Sequence, residues 1–209
     1  MNTTELKNRF LIQLDAVASG AAPGFTDDEI SELLTKSQDD LIQQFIQLGR
    51  WEELYTLLNT VKSTAATGIY GANSYRADIP VDFKYYCTSR VKVGRSDGSG
   101  ITNTFVTCDL ISPTIMDRFL VTAFNKAFYK YPVVFLNQTD DSLTILVDTY
   151  TTFAAVAENV EMTYIFKPPL INITTSTTSY LPDKLHKDIV SLAVDEAVKS
   201  LKIAKITTQ

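Results

Sequence analysis

The sequence predicts an α+β protein in which N-terminal helices and a C-terminal helix form a helical bundle, with an antiparallel β module inserted between them. Apolar residues recur at helical spacing over residues 1–62 and again over 181–209. Between 63 and 180, Ser, Thr, β-branched and aromatic residues cluster and the apolar period moves towards two. Charge divides the same way: residues 1–62 carry 5 basic and 10 acidic side chains, 63–180 carry 9 and 10, and 181–209 carry 5 and 4. At 209 residues and 45% apolar, the chain can bury one substantial core or two small ones, and the three segments are expected to form one continuous unit.

Leu6, Phe10 and Leu14 recur every four residues and mark the first helix. After the breaker Ser19 to Gly24, Thr26 and Glu29 spell a capping box that opens a second helix. Its stripe is Ile30, Leu33, Leu34, Leu41, Phe45 and Leu48, with Glu32, Lys36, Asp39 and Asp40 opposite and Gly49 as its stop. Leu54, Leu57, Leu58 and Val61 predict a third helix from Trp51 to Val61. In the β module, Asp82 to Val93 and Ile101 to Leu110 flank a glycine-rich turn at 94–100 and read as a hairpin. A second hairpin joins Tyr131–Asn137 to Ser142–Asp148, and a fifth strand runs from Val160 to Phe166 until Pro168 and Pro169 stop it. Pro113 to Phe124 reads as a helix between the hairpins. The closing helix starts near Pro182, runs along Leu185, Ile189, Leu192 and Leu201, and ends among Lys199, Lys202 and Lys205.

Reactive constellations are sparse, so no catalytic, cofactor-binding or metal residues are assigned and the chain is not expected to be an enzyme. His186 is the single histidine and suits a surface or helix-pairing position. Cys87 and Cys108 have neither zinc-ligand spacing nor a histidine cluster beside them and read as reduced, half-buried small hydrophobes. Asp140 and Asp141 belong to a hairpin turn, and their spacing to Asp148 fits no calcium loop. A net charge of -5 excludes nucleic-acid binding by bulk electrostatics. No run approaches the ~18 apolar residues of a membrane span, and Glu5, Lys7, Arg9 and Asp15 interrupt any leader-like start. Arg90 and Lys92 lie two apart on one strand face with Arg95 just beyond, and this strip is expected to meet the acidic helical face at Asp39 and Asp40 of a neighbouring copy.

Three stretches carry a resemblance. Ala21 to Ile30 running into Leu33-Leu34-Thr35-Lys36-Ser37-Gln38 resembles the opening of structural proteins of tailed bacteriophages, particularly crAss-like phages. Val160 to Pro169 is similar to a strand ending late in those proteins, and Leu181 to Ala197 is similar to their closing helix. Ser37 replaces a commoner alanine, and Phe166 interrupts the usual basic run before Lys167. The resemblance implies a virion protein made in the host bacterial cytoplasm: a head-to-tail connector, or neck-ring adaptor. Its copies would form a homo-oligomeric ring, commonly a dodecamer, between the portal vertex and adjoining neck or tail proteins. Genomic DNA would pass through at ejection without specific binding, with no cofactor and no membrane. Modest acidity suits such a lumen, because negative charge summed around a ring repels phosphate. Tyr85, Tyr86, Phe105, Phe128, Tyr129 and Tyr131 would serve the module's core or face adjoining rings. The rival readings are a tail- or fibre-associated binding module and a cell-wall hydrolase.

Overall fold

The computed structural model describes residues 1–18, 24–63, 66–67, 74–95, 104–115, 119, 131–137, 142–146 and 153–207. The chain divides into two compact units, one built from 1–57 and 167–209 and the other from 58–166. Together they are an α+β fold with helices at both ends of the sequence and strands between.

In the helical unit, α1 (Thr3–Ala18) and α2 (Asp27–Gln47) each pack against α3 (His186–Thr207). Leu6, Phe10 and Leu14 form the buried stripe of α1, and Ile30, Leu34, Leu41, Ile42 and Phe45 that of α2. Ile189, Val190, Ala193, Val194 and Ala197 are the buried positions of α3, and its two alanines let neighbouring backbones come close. The capping box at Thr26 and Glu29 is formed in both directions, with Thr26 N–H donating to Glu29 Oε2 at 2.8 Å and Glu29 N–H to Thr26 Oγ1 at 3.3 Å. α2 stops at Gly49, whose φ of 67° costs a residue without a side chain little. Leu48, expected on the stripe, is instead the exposed C-cap.

The third helix expected over Trp51–Val61 is not formed as such. A 3-10 helical turn covers Trp51–Leu57, burying Leu54 and Leu57, and the chain then becomes strand β1 (Leu58–Ser63). Strand β9 (Phe153–Phe166) overrides the helical spacing by offering β1 an antiparallel backbone partner, Leu58 opposite Ile165 through Ser63 opposite Val160.

The β unit holds two sheets. The first has the order β1-β9-β4-β5, with β4 at Phe83–Arg95 and β5 at Thr104–Thr107. The second has the order β2-β3-β8-β7-β6, from Ala66–Thr67, Ser74–Asp78, Ser142–Leu146, Val133–Asn137 and Asp109–Leu110 respectively. Pairing is antiparallel except for β6 on β7. Ala77, Tyr86, Val91, Val134, Leu143, Ile145, Val160, Met162 and Tyr164 from both sheets share one core. On the other side of the second sheet, Val133, Phe135 and Leu146 pack with Ile111 and Phe119. Burial on both faces explains why β7 opens as an unbroken apolar run, Val133 to Leu136, and why even the polar Ser142 and Thr144 of β8 are buried. The chain crosses between sheets at Cys108, whose N–H donates to Ser89 O, while Asp109 N–H donates to Pro132 O.

The helix expected over Pro113–Phe124 begins as a three-residue 3-10 turn, Pro113–Ile115; its remainder lies outside the described residues except Phe119. Strands β1, β2, β3 and β6 were not anticipated as separate elements. After β9, residues 167–181 form a strap along α2. Ile171 N–H donates to Thr35 Oγ1 at 3.0 Å, Ile173 N–H donates to Ser31 Oγ at 3.1 Å, and Ser179 Oγ donates to buried Gln38 Oε1. Three polar side chains about one helical turn apart thus anchor a segment that folds back on itself through a turn at 173–176, closed by the backbone pair Asn172 and Thr177.

Candidate functional site

The acidic candidates lie on a groove of about 630 Å³ between α2 and the strap. Asp28, Glu32, Asp39 and Asp40 line it from α2, and Leu170 and Ile171 from the strap. The spacing 28, 32, 39, 40 keeps these carboxylates on one side of the helix, away from the Leu34–Leu41 stripe. Leu170 is 63% exposed, held there because Ile171 beside it is pinned to Thr35. Lys36 also lines the groove, but its ammonium is bound to Glu196 of α3, which raises its pKa first through that hydrogen bond and then through the charge. The groove therefore presents an apolar strip edged by negative charge.

The basic candidates lie on the outer face of the four-stranded sheet. Register puts Lys62 of β1, Glu161 of β9, Arg90 of β4 and Thr107 of β5 in one cross-strand row. Glu161 sits between the two cations with its side chain only 8% exposed. Its Oε1 lies 3.1 Å from Lys62 Nζ, and its Oε2 accepts from the Arg90 guanidinium. The hydrogen bond from Lys62 is the main cause of a pKa below the usual carboxylate range, with Arg90 adding to it against the opposing cost of burial. Arg90 also lies 5.5 Å above the Phe105 ring, and Lys92 pairs with Phe105 in register.

Arg90 and Lys92 thus share the outward face, with Val91 buried between them. Arg90 is already engaged within its own sheet, by a carboxylate 71 positions away that the strip's sequence does not announce. Arg95 is the last residue of β4, with its backbone opposite Phe153. Its side chain lies outside the described residues, as do residues 96–100, Asp140, Asp141, Asp148, Phe128 and Tyr129.

The groups with latent reactivity are buried or half-buried. His186 is 2% exposed; its Nε2–H donates to Leu181 O at 2.9 Å, so Nδ1 is left to accept from the Met1 amino group at 3.0 Å. That amino group also donates to Asp183 at 2.6 Å. Burial first, and the adjacent ammonium second, hold the His186 pKa below its ordinary value. In the β core, Tyr86 and Ser89 share a 2.9 Å hydrogen bond beside Cys108. Burial pushes Tyr86 up to about 12 and Cys108 up to about 11, leaving both protonated near neutrality. Cys87 is half-buried, and burial raises its thiol as well. Among the described residues no group of three His, Cys, Asp or Glu side chains is placed to hold a metal ion, and no helix is long and apolar enough to cross a membrane.

What these surfaces offer chemically is recognition: one acidic groove with an apolar strip, and one basic face with an exposed aromatic ring. No protein-family model matches the chain, and no curated protein matches it in sequence.

Proposed function

We propose that this protein is a virion component of a tailed phage, a subunit of the neck ring that joins the portal vertex to the tail and lets DNA pass. The observation that carries the reading is the presence on one chain of two unlike, oppositely charged surfaces: the groove edged by Asp28, Glu32, Asp39 and Asp40, and the face bearing Lys62, Arg90 and Lys92. Unlike surfaces on identical copies favour head-to-tail association, which closes into a ring when the rotation allows. The resemblance of residues 21–38, 160–169 and 181–197 to phage neck proteins supports the same reading. So does the net charge of -5, which suits a conduit that DNA slides through and disfavours binding DNA by bulk electrostatics.

Mass photometry of the purified protein, alone and with the portal protein of the same phage, tests it. A closed ring, or a complex that forms only with portal, is the expected result. A monomer or trimer indifferent to portal refutes it and favours the tail- or fibre-associated module; lysis bands in a cell-wall zymogram would favour the hydrolase instead.

A further inference from the structure

We infer that the contact between copies is a single heterologous joint, in which Phe105 of one copy, flanked by Arg90 and Lys92, enters the α2 groove of a second copy. The closure of such contacts into a ring rests on the function proposed above; the joint itself rests on the two surfaces.

Phe105 is 37% exposed on β5, one face of its ring lies under the Arg90 guanidinium, and Lys92 stands opposite it in register. It is an apolar knob with cations on its rim. The groove reverses the pattern: Leu170 is the exposed apolar centre, and Glu32 and Asp40 are the acidic rim. An aromatic anchor at the middle of a patch and opposite charges around it form the arrangement through which interfaces gain both affinity and orientation. At about 630 Å³ the groove accommodates an aromatic side chain with water beside it. Lys36, the one cation among the described residues of the groove wall, does not oppose the incoming charges, because Glu196 holds it. Because Glu161 takes both Lys62 and Arg90, Lys92 is, among the described cations of this face, the one with the most charge to offer a partner, and Arg90 serves chiefly to hold the Phe105 ring in place. A second copy is the occupant favoured here, since the complementary surface is present on the chain itself.

The test is a charge swap on the full chain, read by sedimentation velocity at low ionic strength. Lys92→Glu alone and Glu32→Lys with Asp40→Lys alone should each weaken self-association about tenfold or more, and an equimolar mixture of the two variants should restore it. Phe105→Ala should weaken it at least as much, whereas Tyr55→Ala, an exposed aromatic outside both surfaces, should not. Circular dichroism and melting curves of each variant separate loss of fold from loss of contact. Wild-type association that ignores both swaps, or variants whose mixture recovers nothing, overturns this joint while leaving a ring built through another contact standing. A wild-type chain that stays monomeric alone also overturns it, and the ring reading is then decided by the portal mixture.

Discussion

Replacing Thr35 with Val and Ser31 with Ala removes the two hydroxyls that hold the strap on α2, and the structure sets the size of the effect. Thr35→Val preserves shape but deprives Ile171 N–H of its 3.0 Å acceptor and Ile171 O of the Thr35 hydroxyl that donates to it at 3.3 Å. Ser31→Ala does the same to Ile173 N–H, whose bond is 3.1 Å. Each lost bond costs about 1 kcal/mol, because the partners are only part-buried and water recovers some of the loss. Ser31 also donates back to Asp27 O at 2.6 Å, a bond that does little for a helix, and alanine is the better helix former, so its share is the smaller one. With three strap bonds removed, the double variant should therefore lose between about 2 and 3 kcal/mol, a drop in Tm of roughly 4–12 °C for a chain of this length. Urea unfolding measures the first number and differential scanning calorimetry the second. Hydrogen exchange supplies a local readout: the amides of Ile171 and Ile173 should exchange faster while those of β9 keep their protection. A double variant within about 0.3 kcal/mol of wild type, with unchanged exchange at those two amides, would refute the view that side-chain hydroxyls hold the strap.

Ile189→Ala, at a fully buried position of the helix against which both others pack, should cost about 2–5 kcal/mol in urea unfolding; a loss under 1 kcal/mol would mean that α3 is not central. His186 has its pKa depressed below 6.5 in the folded chain, so the unfolded chain takes up the proton first. The stability owed to the neutral ring is complete above about pH 6.5 and declines as the pH falls towards the lower folded value, so the urea midpoint should drop between about pH 7.5 and about pH 5.5, and drop less in His186→Gln. Cys108, with its thiol near 11, is ionised in about one molecule per thousand at pH 8. Iodoacetamide should therefore modify it only after unfolding, and mass spectrometry showing rapid alkylation of the native protein would contradict its placement in the core.

The parts of this fold legible in the sequence are those in which local chemistry and tertiary packing agree. Thr26 and Glu29 announce the start of α2 because a capping box is made within four residues. The facing ends of β7 and β8 are bounded correctly because Asn137 and Ser142 pair with each other. Leu58 to Ser63 misleads because Leu54, Leu57, Leu58 and Val61 satisfy a helical period, and only β9, a hundred residues later, decides for strand. The candidate faces were half legible. A period of two puts Arg90 and Lys92 side by side, but nothing near them reveals Glu161, which reaches Arg90 through register alone. The groove has a signal in the sequence: Ser31, Thr35 and Gln38 are polar residues about one turn apart along the helix, and such a line implies a non-helical segment laid against them that needs hydrogen bonds. The burial of His186 had none, since its partners are Leu181 O and the far end of the chain.

The pairing of Leu58 with Ile165 has a consequence for how such a protein can change. The chain leaves the helices at Leu58 and returns at Phe166, and the two crossing points are neighbours in one sheet, about 5 Å apart. A guest whose two ends meet imposes no strain on its host, whatever its length. The β unit can lengthen its loops, be traded for another module, or be replaced by a tight turn without altering the span that the helices must bridge. Host and guest are then free to diverge at different rates, one answering to its own core and the other to whatever it meets.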